Sequence, residues 1–450
     1  MDDLGLRQVK RATYPAYKPS GVEWLGDLPK HWEVRRLKYA ASINDEALPG
    51  TTDPDYEFNY VDIGNVDAIN GIVAREPYRF EDAPSRARRI VHHGDTIVST
   101  VRTYLRAIAS IREPDGHLIV STGFAVVRPR GIDPQYLSYS LRSPYFVETI
   151  VSRSTGVSYP AINASEVSTI AVTVPSAEEQ GTIASFLDRE TGRIDALIAK
   201  KQRQIELLQE KRAALTSHAV TKGLDPNVKM KDSGIEWLGQ IPEHWEVWLL
   251  KRVCCISYGM GGELDRTLSQ GVPILSLPNV TINGTLSLDE VPLAELPEDM
   301  KPLLLLRRGD LLFNWRNGSA DHLGKTAYFA LDGEYTHVSF LLRLRFDPNR
   351  HDSRYYYRLL NGFRATGFFA SSKAGVNNTF NQSELNNLWV IVPPHKEQVE
   401  IADFLGREAI RIDRLVLKIE QSVVALREYR TALISAAVMG KIDVRERLKG

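Results

Sequence analysis

The chain has 450 residues, 43% hydrophobic and 25% charged, a length that allows two or three full domains and a composition that excludes disorder. Its 56 Lys and Arg face 56 Asp and Glu, so it lacks the net basicity usual in nucleic-acid-binding domains. No apolar run approaches a membrane span and no charged-then-apolar leader opens the chain, which predicts a soluble cytoplasmic protein.

After a polar leader (1–19), the segment Ser20-Gly-Val-Glu-Trp-Leu-Gly-Asp-Leu-Pro-Lys-His-Trp-Glu-Val34 returns 213 residues later as Ser233-Gly-Ile-Glu-Trp-Leu-Gly-Gln-Ile-Pro-Glu-His-Trp-Glu-Val247. A second repeated set closes each copy. Val174-Pro175, Glu179-Gln180, Ile183-Ala184, Phe186-Leu187 and Arg193-Ile194-Asp195 recur as Val392-Pro393, Glu397-Gln398, Ile401-Ala402, Phe404-Leu405 and Arg411-Ile412-Asp413. Such a period is too long for a solenoid repeat and marks two duplicated domains. Between the matched brackets the copies barely resemble each other, which suggests one scaffold around two different readers.

The interior of the first copy predicts short strands at Phe58–Ile63, Asp95–Val101 and Phe124–Arg128, with helical segments at Pro134–Arg142 and Pro144–Val151. The second copy repeats the order, with strands at Pro273–Leu277, Asp310–Asn314 and Val338–Arg345. Each copy therefore reads as an α+β unit with a strongly β core. It ends in a long helix whose apolar positions keep three-four spacing: Phe186, Leu187, Ile194, Leu197, Ile198, Ile205, Leu208 and Leu215 in the first copy. In the second they are Ile401, Phe404, Leu405, Ile412, Leu415, Val416, Ile419, Val423, Leu426 and Leu433. A helix over about 178–219 would extend about 60 Å. Its apolar seam needs a partner, and the two helices pairing as an intramolecular antiparallel coiled coil with pseudo-two-fold symmetry supply it.

Candidate chemistry is sparse. Cys254 and Cys255 are adjacent, suit neither a disulfide nor a metal site, and read as buried reduced thiols on a strand. Gly259-Met-Gly-Gly262 lacks the following helix and acid of a phosphate loop and reads as a tight turn. His92 and His93 cannot chelate one ion as strand neighbours and read as exposed loop residues. His31-Trp32 and His244-Trp245 read as structural, each Trp wedging the chain against the sheet with its neighbouring proline. Neither the carboxylate and lysine cluster of a nuclease nor the cofactor loop and Asn-Pro-Pro or Asp-Pro-Pro motif of a methyltransferase is present. Arginines crowd one stretch of each copy: Arg86, Arg88, Arg89, Arg102 and Arg106, then Arg343, Arg345, Arg350, Arg354, Arg358 and Arg364. Each crowd is either a basic patch or a solvated face.

The frame Gly-x-Glu-Trp-Leu-Gly-x-x-Pro-x-His-Trp-Glu, the Gly-Asp-apolar-apolar step at Gly94 and Gly309, and Val-Pro-x-x-x-Glu-Gln leading into Ile-Ala-x-Phe-Leu, all found twice and in order, resemble the specificity subunit of Type I restriction-modification systems. The resemblance covers nearly the whole chain. It implies target recognition domains at 20–175 and 233–393, spacer helices at 176–219 and 394–439, a linker at 220–232 and a tail at 440–450. It implies that each domain reads one half of a bipartite double-stranded DNA target, and that the helices set the gap and dock two methyltransferase subunits, with restriction/translocase subunits joining. The chain itself is then non-catalytic and binds no cofactor, S-adenosylmethionine, ATP and Mg²⁺ belonging to the partner subunits.

The candidate readers are Arg102, Tyr104 and Arg106 after the first Gly-Asp step, and Asn314, Arg316 and Asn317 after the second, because Arg bonds guanine bidentately and Asn bonds adenine. A second loop in each copy adds Arg153, Thr155, Ser158 and Tyr159, and Lys373, Asn377, Asn378 and Thr379, small polar residues around a glycine that suit close approach to phosphate or a base edge. Two readings from other classes are a fused restriction or modification enzyme, against which the missing methyltransferase motifs count, and a protein-interaction scaffold that binds no DNA. Steep salt dependence of DNA binding separates the last from the first.

Overall fold

The computed structural model describes residues 12–112, 117–262, 268–316, 322–371 and 379–445. It divides into two units, residues 1–202 with 420–450, and residues 203–419. The main sheet of the first unit is antiparallel, in the order Ile108–Ser110, Thr96–Ser99, Phe124–Pro129, Ala41–Ile43. All four residues of Thr96–Ser99 are buried, as a central strand covered on both faces requires. In a second sheet, Glu57–Val61 runs parallel to Leu118–Ser121, flanked by Glu76–Arg79 and Ala87–Ile90.

The second unit reproduces this topology with different residues. Its antiparallel sheet runs Cys254–Tyr258, Leu341–Phe346, Leu311–Asn314, Thr326–Tyr328, and Val272–Leu275 lies parallel to Thr336–His337. Unlike interiors thus adopt one fold. Of the two cysteines on the strand Cys254–Tyr258, Cys254 is buried and Cys255 exposed, because neighbouring strand residues face opposite sides; the reading of both as buried is corrected. Gly259 follows directly, and a Cβ there would stand 2.1 Å from the His337 carbonyl oxygen. Close approach of two backbones, rather than a turn, explains this glycine.

The repeated brackets fasten each unit at one place. Glu33–Arg36 pairs with Ala171–Val174, and Glu246–Leu249 with Trp389–Val392. His31 Nε2 lies 2.9 Å from Glu179, and His244 Nε2 2.7 Å from Glu397, whose other oxygen accepts from Trp245 Nε1 at 2.9 Å. The adjacent glutamines bind backbone: Gln180 accepts from Asp133 N–H and donates to the Pro175 carbonyl, and Gln398 does the same with Asp352 and Pro393. Trp32 and Trp245 are fully buried. Each packs on a glycine with positive φ that ends a long helix, Gly440 under Trp32 and Gly223 under Trp245, where a Cβ would lie 3.2 Å from the indole.

The long helices run Ala177–Lys222 and His395–Val438, the first ending three residues past its expected end and the second lying one residue inside each expected bound. Each contributes to both units, and within each unit the two segments run antiparallel. In the first unit Arg430 forks onto Asp195 at 2.9 Å; in the second Arg212 bonds Asp413 at 2.7 Å. Both residues of one pair stand 218 positions from their counterparts in the other, so the duplication makes the same bridge twice with the roles of the helices exchanged. Tyr136 and Tyr355 follow the same rule: the Tyr136 hydroxyl reaches the Val438 carbonyl at 3.3 Å, and the Tyr355 hydroxyl reaches Val220 at 2.9 Å. The seam is deepest toward the helix ends, where Phe186, Leu187, Ile401 and Leu433 are buried. Leu415, expected in the seam, is 43% exposed.

The residues from 440, expected as a tail, pack into the first unit as far as the structure describes them. Asp443 N–H donates to the Ala12 carbonyl at 2.8 Å, Tyr17 donates to the Gly440 carbonyl, and Arg445 lies 4.9 Å from the Tyr14 ring centre.

One buried group gives the second unit a pH dependence. His337 is fully buried, and among the described residues neither ring nitrogen has a hydrogen-bond partner. Burial, with Arg343 and Arg345 adding to it, pushes its pKa down to about 3. The unfolded chain takes up this proton below about pH 6.5, whereas the folded ring stays neutral, so its contribution is full above that pH and is lost progressively as pH falls toward the folded value. By pH 5 the loss is about 2 kcal/mol. Urea unfolding of the second unit at pH 7 and pH 5 is expected to show it, and His337→Leu to remove that component. An identical pH dependence in the two proteins would mean that the ring is charged in the fold.

Candidate nucleic-acid interface

The Gly-Asp step in each unit is built inward. Asp95 and Asp310 are nearly fully buried, and each accepts a backbone N–H three residues before it, from His92 and from Arg307. Each also receives a two-pronged guanidinium from the adjacent strand, Arg128 at 3.1 and 3.0 Å and Arg345 at 2.8 and 2.6 Å. The carboxylate raises the Arg128 pKa further, so this fork is fully charged. The second arginine crowd is therefore largely structural: Arg345 holds Asp310, Arg343 donates to the Leu303 carbonyl from the interior, and Arg354 pairs with Asp352 and Asp403.

These forks fix the strands whose far ends carry the candidate readers. In the first unit Ser99 donates to the Val101 carbonyl, and the chain turns through Arg102 and Arg106, both at positive φ, on either side of the short helical turn Thr103–Leu105. Two non-glycine residues in this conformation within five positions are costly and mark a loop held by its surroundings. The second predicted loop holds it. Val101 bridges Ala161, Ile162 N–H donates to the Thr100 carbonyl at 2.9 Å, and the Thr103 hydroxyl reaches Ser154 at 2.8 Å.

On the joined loops Arg102 lies over the Tyr159 ring, 5.0 Å from its centre, and Tyr104, Ser158 and Tyr159 are exposed. The aromatic face orients the guanidinium without consuming its hydrogen-bond donors. Thr155 pairs with Ala161 within the second loop. Arg106 bonds Glu148 at 2.7 Å, and Arg153 bonds the Thr169 hydroxyl at 3.2 Å.

The second unit joins its two loops in the same way. Arg316 bridges Thr379, and Phe380 N–H donates to the Trp315 carbonyl at 2.7 Å. Arg316 is exposed, with its guanidinium 5.9 Å from the centre of the Phe340 ring. Asn314 is completely buried, and its side-chain oxygen accepts from Arg316 N–H at 3.3 Å. It shapes the loop from within, as Ser99 does in the first unit, and offers no surface to a base; the expectation for Asn314 is corrected on that ground. Asn317, Lys373, Asn377 and Asn378 lie outside the described residues. Sequence reasoning missed Phe340 and Trp315, whose indole donates to the Ser339 carbonyl at 2.7 Å beside Tyr258. The sequence signal for Trp315 was its place beside Arg316; Phe340, distant in sequence from that arginine, carried none.

Among the described residues no group of three His, Cys, Asp or Glu side chains could hold a metal ion. His92 and His93 have separate partners, Glu46 and the Arg112 carbonyl.

The model of the Type I restriction modification DNA specificity domain matches this chain twice, over residues 29–207 and 242–413, which is most of its length. The chain belongs to this family. It is a DNA sequence-recognition subunit that carries the specificity domain twice. It is 24% identical over 324 residues to the Type I restriction enzyme StySPI specificity subunit of Salmonella potsdam, covering 70% of this chain and 67% of that one. It is 22% identical over 438 residues to the MjaIX specificity subunit of Methanocaldococcus jannaschii, covering 94% and 96%. A solved chain from work on complex assembly and conformational transition of the type I R-M system shares the fold, with a TM-score of 0.67 at 23% identity over 91% of this chain and 98% of that one. Both matches to the family domain run from the frame proline into the long helix, so domain and helix belong to one module. Among the described residues no helix is long and apolar enough to cross a membrane.

Proposed function

We propose that each unit reads one half of a bipartite double-stranded DNA target, with Arg102 and Arg316 as the leading readers. The observation that carries this is the shared device of two bridged loops presenting an exposed arginine against an aromatic ring, built from unrelated residues in the two units. Different side chains on one support read different bases, while the support keeps their approach constant. Tyr104, Arg106, Arg153, Thr155, Ser158, Tyr159 and Thr379 complete the contact surface, through phosphate or through base edges.

The long helices set the unread gap between the halves and dock two methyltransferase subunits. In the second unit Leu207, Ile410, Leu415 and Leu417 stand 43–61% exposed along these helices, apolar surface that supports a protein partner. Restriction/translocase subunits join the same assembly in the cytoplasm. The chain is non-catalytic and binds no cofactor; S-adenosylmethionine, ATP and Mg²⁺ are held by the partner subunits. The absence of methyltransferase and nuclease motifs from the sequence supports that division of labour.

Methylome sequencing of cells that express a cognate methyltransferase with and without this chain tests the reading. A bipartite methylated motif that depends on the chain is the expected result, and it would supply both half-sites and the gap. Methylation that is the same in both cultures, with the chain folded and bound to its methyltransferase, would overturn it.

A further inference from the structure

The first unit contains a cavity of about 890 Å³ beside the strand Ile108–Ser110, the helix Pro134–Leu141 and the long-helix segments of that unit. It lies away from the base-reading loops. Ser110 pairs with Thr96, whereas the loops leave the other end of that strand after Ser99, so cavity and loops occupy opposite ends of the sheet.

Five arginines and two aspartates are among its lining residues. Both aspartates are already engaged. Asp188 accepts from Arg112 at 2.8 Å and from the Tyr139 hydroxyl at 2.6 Å, and Asp195 takes the fork of Arg430. Among the described residues neither Arg142 nor Arg427 has a carboxylate partner.

Arg142 is held in place. Its guanidinium lies 4.7 Å from the centre of the Tyr139 ring, and its Nε donates to the Ser138 carbonyl at 3.3 Å. Its two terminal nitrogens are left without a partner among the described residues. Burial lowers its pKa, with Arg430 and Arg112 adding to that and Tyr139 and Asp188 opposing it. The held Arg142 guanidinium at the cavity wall, with the exposed Arg427 able to swing toward it, suits the geometry of phosphate oxygens.

We propose that this cavity is a phosphate-binding site in which Arg142 and Arg427 donate to the oxygens of a phosphate chain. Two sources share that chemistry, the backbone of a nucleic acid and a free polyphosphate such as that of a nucleoside triphosphate. The volume suits a ligand of the second size, and an opening to solvent would admit the first.

The test titrates the full-length chain with sodium tripolyphosphate at low ionic strength by calorimetry. Wild-type protein is expected to bind, and Arg142→Gln and Arg427→Gln to bind roughly tenfold more weakly, the scale of a lost charge-assisted contact. Arg427 lies on an exposed helix face, so its variant keeps the fold even if Arg142→Gln does not. If duplex DNA displaces tripolyphosphate, and Arg427→Gln lowers the log–log salt slope of DNA binding by about one, the ligand is the nucleic-acid backbone. If both bind together, it is a free polyphosphate. No binding to folded wild-type protein, or equal binding by wild type and both variants, overturns the proposal. The methylated motif reports base reading separately, so failure here leaves that reading standing.

Discussion

Arg102→Ala is expected to weaken binding to DNA through the first half-site alone. A well-placed arginine gives about 1–3 kcal/mol of discrimination, so the loss amounts to roughly 5- to 150-fold against the cognate first half, with discrimination at the second unchanged. Arg316→Ala is expected to do the converse. The prediction is sharp because each guanidinium is pre-oriented, over Tyr159 in one unit and toward Phe340 in the other, and among the described residues is not tied to a carboxylate. Titrating the assembled complex with duplexes in which one half is scrambled at a time measures both effects. Equal losses at both halves from either variant would show that these side chains contact the backbone rather than bases.

The largest effect on stability is expected at Asp310. Its carboxylate is buried and receives the Arg345 fork and the Arg307 N–H. Removing it alone strands a mostly buried guanidinium, which costs about 3–5 kcal/mol. Asp310→Ala should lower the urea midpoint of the second unit and loosen the loop that carries Arg316, since Leu311–Asn314 starts at the next residue. Replacing both partners, as Asp310→Ala with Arg345→Met, removes both buried charges and should recover most of the loss. A double variant as unstable as the single one would place the effect in backbone geometry rather than in the stranded charge.

These cases show what the sequence could disclose. Duplication and heptad spacing are patterns of residue type, so the two modules, the long helices and their pairing were legible in it. So were the six strands named from it, within a few residues at each end, but not the others that complete the sheets. The fate of individual side chains was not. Asn314 and Arg316 sit two positions apart after the same Gly-Asp step, yet one is buried and the other exposed, because where the strand ends decides which faces outward. Arg345 resembles the other arginines of its crowd in sequence, and only the register of its strand with Leu311–Asn314 turns it toward Asp310. Leu415 fits the seam by spacing, but its helix neighbours leave it uncovered. The residues from 440 carried a signal that went unused: Gly440 repeats the helix-ending role of Gly223 beneath the frame tryptophan.

The His31–Glu179 and His244–Glu397 contacts, with Gln180 and Gln398 beside them, join mainly residues of the repeated brackets. Genetic exchange between two such genes could therefore cross over inside the conserved brackets and deliver a foreign interior into an intact fastening. A new interior would bring a new preference for bases and inherit the helices unchanged. Novelty in what is recognised could then arise in one recombination event, with no intermediate that must rebuild its fold or its partner contacts.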